Sequence, residues 1–227
     1  MIEGLRFEFC YKTNPTDSYR VKSLMGQYDL EDKEVIQNFK GSYNLPKNWR
    51  VGLIVGKSGS GKTSIAKKVF GDFINLEWDK RPLIDNFSDK LSMDEITFAL
   101  GSVGFNSVPF WLKPYNVLSN GEKSRAALAR LALENDLVVY DEFTSLVDRD
   151  VAKSTSNSVQ KLFRKINKNF VAVTCHYDVL EWLNPDWLYN TDTKDFTIPK
   201  DRGAKSSNLK LEKFKETSGP IIGNIII

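Results

Sequence analysis

Short, almost continuously apolar runs punctuate the chain, and stretches of mixed pattern separate them. Residues 49–55 (WRVGLIV), 137–140 (LVVY) and 170–174 (FVAVT) lack polar alternation, which predicts strands buried on both faces of a parallel sheet. Helical patterns lie between them, over 61–70, 151–166 and 179–183, and over 119–133, where Ala, Leu, Lys and Arg dominate. Ser92-Met93-Asp94-Glu95 has capping-box spacing and opens a further helix to about Leu100. Alternating residues Gly4 to Tyr11 and a second run, Arg20 to Met25, flank the turn-forming TNPTDS, which predicts an N-terminal antiparallel β hairpin. Further strands are expected near Phe73 to Glu77, Trp187 to Tyr189 and Asp195 to Ile198. The segments DLEDKE, WDKRPLIDNFSDK and GSVGFNSVPFWLKPYN read as polar or Gly/Pro-punctuated connections. The class is therefore α/β, a mostly parallel sheet with flanking helices, in which ligands sit at the carboxyl ends of the strands.

The 227 residues suit a single domain, and 41% hydrophobic with 12% aromatic residues suffices for a packed core. A net charge of +3 is far from the dense positive field that by itself marks nucleic-acid binding. Cys10 and Cys175 show no metal-binding spacing and read as reduced thiols of a cytoplasmic protein. The N-terminus lacks the basic and apolar regions of a secretory signal. The apolar end, GPIIGNIII, covers nine positions where a bilayer span needs roughly twenty, so a terminal strand or a partner contact explains it better.

Gly56-Lys57-Ser58-Gly59-Ser60-Gly61-Lys62-Thr63 follows an apolar strand and precedes a helix. It fits the phosphate-binding pattern GxxxxGK[ST], in which glycines let backbone N–H groups wrap a triphosphate and the helix N-terminus adds partial positive charge. Lys62 is expected to reach the β- and γ-phosphates and Thr63 to ligate Mg²⁺, with Ser64 closing the nucleotide-binding segment. The strand 137–140 runs into Asp141 and Glu142. A carboxylate at such a strand tip suits Mg²⁺ (Asp141), and the next, pointing differently, can orient or activate the attacking water (Glu142).

In this company the chain resembles the ATP-binding-cassette (ABC) ATPases, a branch of the P-loop NTPases. Leu118-Ser119-Asn120-Gly121-Glu122 is similar to their LSGGE signature with Asn120 in place of a glycine. Ser145-Leu146-Val147-Asp148 is similar to their D-loop, and His176, the single histidine, stands where their switch histidine would be. The motifs follow in the family's order from about Arg50 to Tyr177. The resemblance implies that Ser119, Asn120, Gly121 and Glu122 bind the γ-phosphate held by a second copy, giving a head-to-tail homodimer with two sandwiched ATP molecules. It implies that His176 hydrogen-bonds the γ-phosphate. The whole chain is then one ABC-type domain, with a shortened helical and signature subdomain over about 79–135 and a basic tail with an apolar end over about 200–227.

The departures matter too. No glutamine lies between Gln37 and Gln160, so the residue with which transporter-type members touch Mg²⁺ and couple to a membrane partner is missing; Trp78-Asp79-Lys80 or Asp85 stands in that region. The adenine-stacking aromatic is open between Tyr19, Tyr28 and Tyr11, and Arg125 and Arg130 read as structural or solvated. The segments DEFTSLVDR and TCHYDVLEWLNPDW resemble a compact bacterial and phage ABC ATPase group whose larger members carry a fused acetyltransferase-like domain. The missing glutamine and the basic segment KDRGAKSSNLKLEKFK favour a stand-alone ATPase with a DNA or RNA client, in repair, phage biology or defence. The alternatives are a transporter's nucleotide-binding subunit and an ATP-switched scaffold for a protein client.

Overall fold

A computed structural model describes residues 3–13, 18–28 and 35–199. The acidic DLEDKE segment, most of the TNPTDS turn and the tail from residue 200, with its basic run and apolar end, lie outside the described residues.

A five-stranded sheet runs in the order β4 (Leu137–Tyr140), β5 (Asn169–Thr174), β3 (Val51–Val55), β6 (Trp187–Asn190) and β7 (Asp195–Thr197). The first four are mutually parallel and β7 is antiparallel to β6. Each expected central strand is present, and side-chain alternation sends the two sets to different cores. Val51, Leu53 and Val55 of β3, with Phe170 and Ala172 of β5, face helices α3 (Met93–Ser102), α5 (Asn120–Glu134) and α6 (Arg149–Lys165). Ile54, Val171, Val173, Trp187 and Tyr189 face α2 (Lys62–Phe70) and an antiparallel hairpin.

That hairpin pairs β1 (Gly4–Thr13) with β2 (Val35–Asn44), in register from Gly4–Asn44 to Thr13–Val35. Its existence matches the expectation, but its partner strand does not. Residues 19–27 form helix α1 (Tyr19–Gln27) instead of the second strand, with Ser18 Oγ accepting from the Val21 N–H as N-cap. The segment 73–77 forms no strand either. Its Phe73 and Leu76 are partly buried against the two cores instead. Helices α4 (Val108–Trp111) and α7 (Val179–Leu183) complete the order.

Gly52 shows how tightly the sheet face is filled. A Cβ there would lie 2.1 Å from Trp187 Cζ2, and that indole is fully buried against Trp49. Gly52→Ala is expected to destabilise the fold by about 1–3 kcal/mol, since an overpacked core must shift a rigid ring. Urea unfolding measures it, and an unchanged midpoint would contradict this packing.

Candidate functional site

Register brings the candidate residues to one level. Val55, the last residue of β3, pairs with Thr174 of β5 on one side and Asn190 of β6 on the other. Two residues further on, the three chains carry Lys57, His176 and Asp192. On the far side of β5, Tyr140 pairs with Ala172, so Asp141 and Glu142 leave the sheet at the same end.

The phosphate-loop residues form a tight turn into α2. Gly61 caps α2 with φ +85°, a backbone that L side chains rarely adopt. A Cβ there would also lie 2.2 Å from the ring of Phe39, which β2 presses against the loop. Lys62 is 7% exposed, and its Nζ donates to the Lys57 carbonyl at 2.8 Å. Thr63 Oγ1 donates to Asp141 Oδ2 at 2.9 Å, so the two expected Mg²⁺ ligands converge. Their hard oxygen donors fit Mg²⁺, which keeps several waters and takes one or two carboxylates with substrate phosphates. Among the described residues no cluster of three or more His, Cys, Asp or Glu could hold a metal by itself.

After Asp141 the chain turns sharply. Glu142 and Thr144 both have left-handed φ values, +51° and +68°, which for non-glycine residues cost of the order of 1–3 kcal/mol each. The turn is over-determined: the Glu142 N–H donates to Asp141 Oδ1 at 3.0 Å, the Phe143 N–H to the Val173 carbonyl, and Phe143 is buried against Phe170. The Glu142 carboxylate accepts from Ser145 Oγ at 2.7 Å and stays exposed, whereas Asp141 Oδ2 accepts from Thr63 Oγ1.

Ser119 caps α5 in a full capping box: its N–H and hydroxyl both donate to Glu122 Oε2 at 2.8 Å, and the Glu122 N–H returns to Ser119 Oγ. Burial works against the charge of Glu122, yet these Ser119 bonds hold its carboxyl below the usual range. Ser119 and Asn120 are exposed, and a Cβ on Gly121 would touch Val147, so the signature and D-loop segments adjoin within one chain. Leu146 is 75% exposed at the D-loop tip, while Asp148 caps α6 through the Val151 N–H. His176 is half-buried, and its N–H donates to Thr174 Oγ1.

Sequence reasoning missed a buttress behind the loop. Thr191 donates its N–H to the Val55 carbonyl and meets Ser60 Oγ through its hydroxyl at 2.5 Å. It also missed Phe39, because residues 35–44 gave no clear strand signal. Phe39 stacks on Phe9 at 4.9 Å and meets Tyr11 edge-on at 6.2 Å. Tyr11, itself 51% exposed, thus joins an aromatic group beside Gly61, whereas Tyr19 and Tyr28 stand 85% and 63% exposed on and after α1. Arg130 is structural: it lies over Trp78, which stacks on Tyr115 at 4.1 Å, and donates to the Glu77 carbonyl.

No protein-family model matches the chain. Among curated proteins it is similar to the energy-coupling factor transporter ATP-binding protein EcfA1 of Staphylococcus aureus, 28% identical over 206 residues, covering 73% of this chain and 74% of the relative. The EcfA1 protein of Leuconostoc mesenteroides is 25% identical over 199 residues, covering 68% and 71%. Among solved structures it resembles the dimeric ATP-binding cassette MJ0796 in a post-hydrolysis state bound to ADP and phosphate, with TM-score 0.56, 16% identity, and coverage of 85% of this chain and 100% of that one. It also resembles cbiO1 of Clostridium perfringens, with TM-score 0.53, 17% identity and coverage of 66% and 76%.

Proposed function

We infer that this chain, which belongs to the ABC ATPase superfamily, binds MgATP, pairs head to tail with a second copy and hydrolyses the nucleotide as the ATP-binding subunit of a membrane transporter. The observation that carries the chemistry is the Thr63–Asp141 hydrogen bond, which sets a phosphate-loop hydroxyl and a strand-tip carboxylate side by side. Lys62 binds the β- and γ-phosphates, Thr63 and Asp141 hold Mg²⁺, Glu142 activates water and His176 contacts the γ-phosphate. Tyr11, in the aromatic group beside the phosphate loop, is the better adenine platform than Tyr19 or Tyr28. Ser119 of one copy completes the γ-phosphate site of the other. The exposed Leu146 beside that signature supports a pairing face.

The relatives favour the transporter reading over the nucleic-acid one. The basic run that motivated a DNA or RNA client lies outside the described residues. Among the described residues no helix is long and apolar enough to cross a membrane. A groove of about 680 Å³, lined in part by Arg81, Asp85, Lys90 and Arg130, flanks the segment that stands where a coupling glutamine is expected. Expression with its chromosomal neighbours and purification from detergent-solubilised membranes tests the assignment. The chain is expected to co-purify with an integral membrane protein and to hydrolyse ATP faster in its company. Recovery solely from the soluble fraction, with turnover unchanged by membranes, would refute the transporter reading.

A further inference from the structure

The loop after β6 does more than buttress the phosphate loop from behind. Both carboxylate oxygens of Asp192 accept the Lys57 N–H, at 3.0 and 3.1 Å, and Asp192 Oδ2 also accepts the Tyr177 hydroxyl at 2.5 Å. Lys57 is the second residue of the phosphate loop and Tyr177 directly follows His176. One carboxylate therefore ties the start of the phosphate loop to the segment that carries His176. Asp192 is itself held, since its N–H donates to Oδ1 of the buried Asn190.

The register explains why such a strut is possible. Lys57, His176 and Asp192 each lie two residues past the paired level Val55–Thr174–Asn190. Loops leaving adjacent parallel strands at one level can be cross-braced by a short side chain, whereas the sheet's own hydrogen bonds stop below them. Without a brace, His176 is fixed through the Thr174 hydroxyl to its own N–H, which leaves the following residue to set the loop's direction.

We propose that Tyr177 and Asp192 are positioning residues that lock the His176 segment to the start of the phosphate loop, so that the histidine meets the γ-phosphate in a fixed geometry. The proposal rests on the reading of His176 as a γ-phosphate contact and adds to it the device that aims the side chain. Burial, and then the hydrogen bond to the Asp192 carboxylate, push the Tyr177 hydroxyl up from its ordinary pKa. Misplacing a group by about 1 Å can cost roughly 100-fold in rate, so a loosened strut should act on turnover more than on affinity.

The single histidine supplies a direct readout. In the tag-free full chain carrying Glu142→Gln, the imidazole carbon–proton NMR signals of His176 are followed as MgATP is added. The expected result is a distinct shift on saturation, which Tyr177→Phe and Asp192→Asn each reduce or broaden while ATP affinity, measured calorimetrically, changes less than about threefold for Tyr177→Phe. With Glu142 intact, Tyr177→Phe is expected to lower kcat about tenfold or more with KM little changed, and to add nothing to the loss caused by His176→Ala. A full His176 shift in both variants, or a Tyr177→Phe loss that multiplies with that of His176→Ala, overturns the strut and leaves the histidine reading standing. If His176 does not shift in bound parent protein, or His176→Ala turns over normally, the histidine reading falls and takes the strut with it.

Discussion

Lys62→Ala is expected to abolish turnover and to weaken MgATP binding by about 10- to 150-fold, because a hydrogen bond to a charged group contributes roughly 1.5–3 kcal/mol. The residue is only 7% exposed. A buried ammonium needs compensation, and Nζ finds it in the Lys57 carbonyl of the same loop. The ammonium is thus pre-aimed across the turn formed by Gly59, Gly61 and their neighbours, where backbone N–H groups can gather phosphates. Alanine removes the charge without disturbing the Gly61 cap or the Thr63–Asp141 bond, so folding should survive. Titration calorimetry with MgATP and a phosphate-release assay measure the two effects. Affinity within twofold of the parent would mean that the triphosphate does not lie in this loop.

Glu142→Gln should behave in the opposite way, with ATP affinity retained and kcat lowered by about 10²–10⁴-fold, the usual size of a lost general base. The backbone strain at residues 142 and 144 is compatible with this role: a left-handed turn after Asp141 is what points two successive carboxylates in different directions. Glutamine keeps the shape and can still accept from Ser145 Oγ, but it cannot take a proton. Single-turnover measurements separate the chemical step from release. Near-parent hydrolysis would remove Glu142 from the mechanism.

The central sheet was readable in the sequence chiefly through β3 and β5, whose residues 51–55 and 170–174 are buried throughout, whereas the edge strand β4 has only Val138 fully buried and was legible through its apolar run alone. The loops that follow these strands carry the glycines, carboxylates and histidine. The capping box at Ser92 was legible for a local reason, a Glu three residues on, and the same spacing from Ser119 to Glu122 proves to form a second box. The hairpin's second strand was not. Residues 35–44 include Gly41, whose place in a strand makes sense once Phe7 is seen lying where its Cβ would be. Residues 19–27 misled in the other direction, since Arg20, Val21, Lys22 and Met25 alternate weakly enough to suit either a strand or a helix without buried residues. The strut through Asp192 was invisible because it joins residues 135 positions apart through β6, whose level against β3 sequence pattern does not reveal.

If one copy's phosphate loop is completed by another copy's signature, ATP must change the mass of the protein in solution. Light scattering on Glu142→Gln is expected to show one chain without nucleotide and two with saturating MgATP. Adding Ser119→Arg should return it to one chain while calorimetry still finds ATP bound. A single-chain mass for Glu142→Gln with ATP demonstrably bound, or a dimer indifferent to Ser119→Arg, would contradict the account.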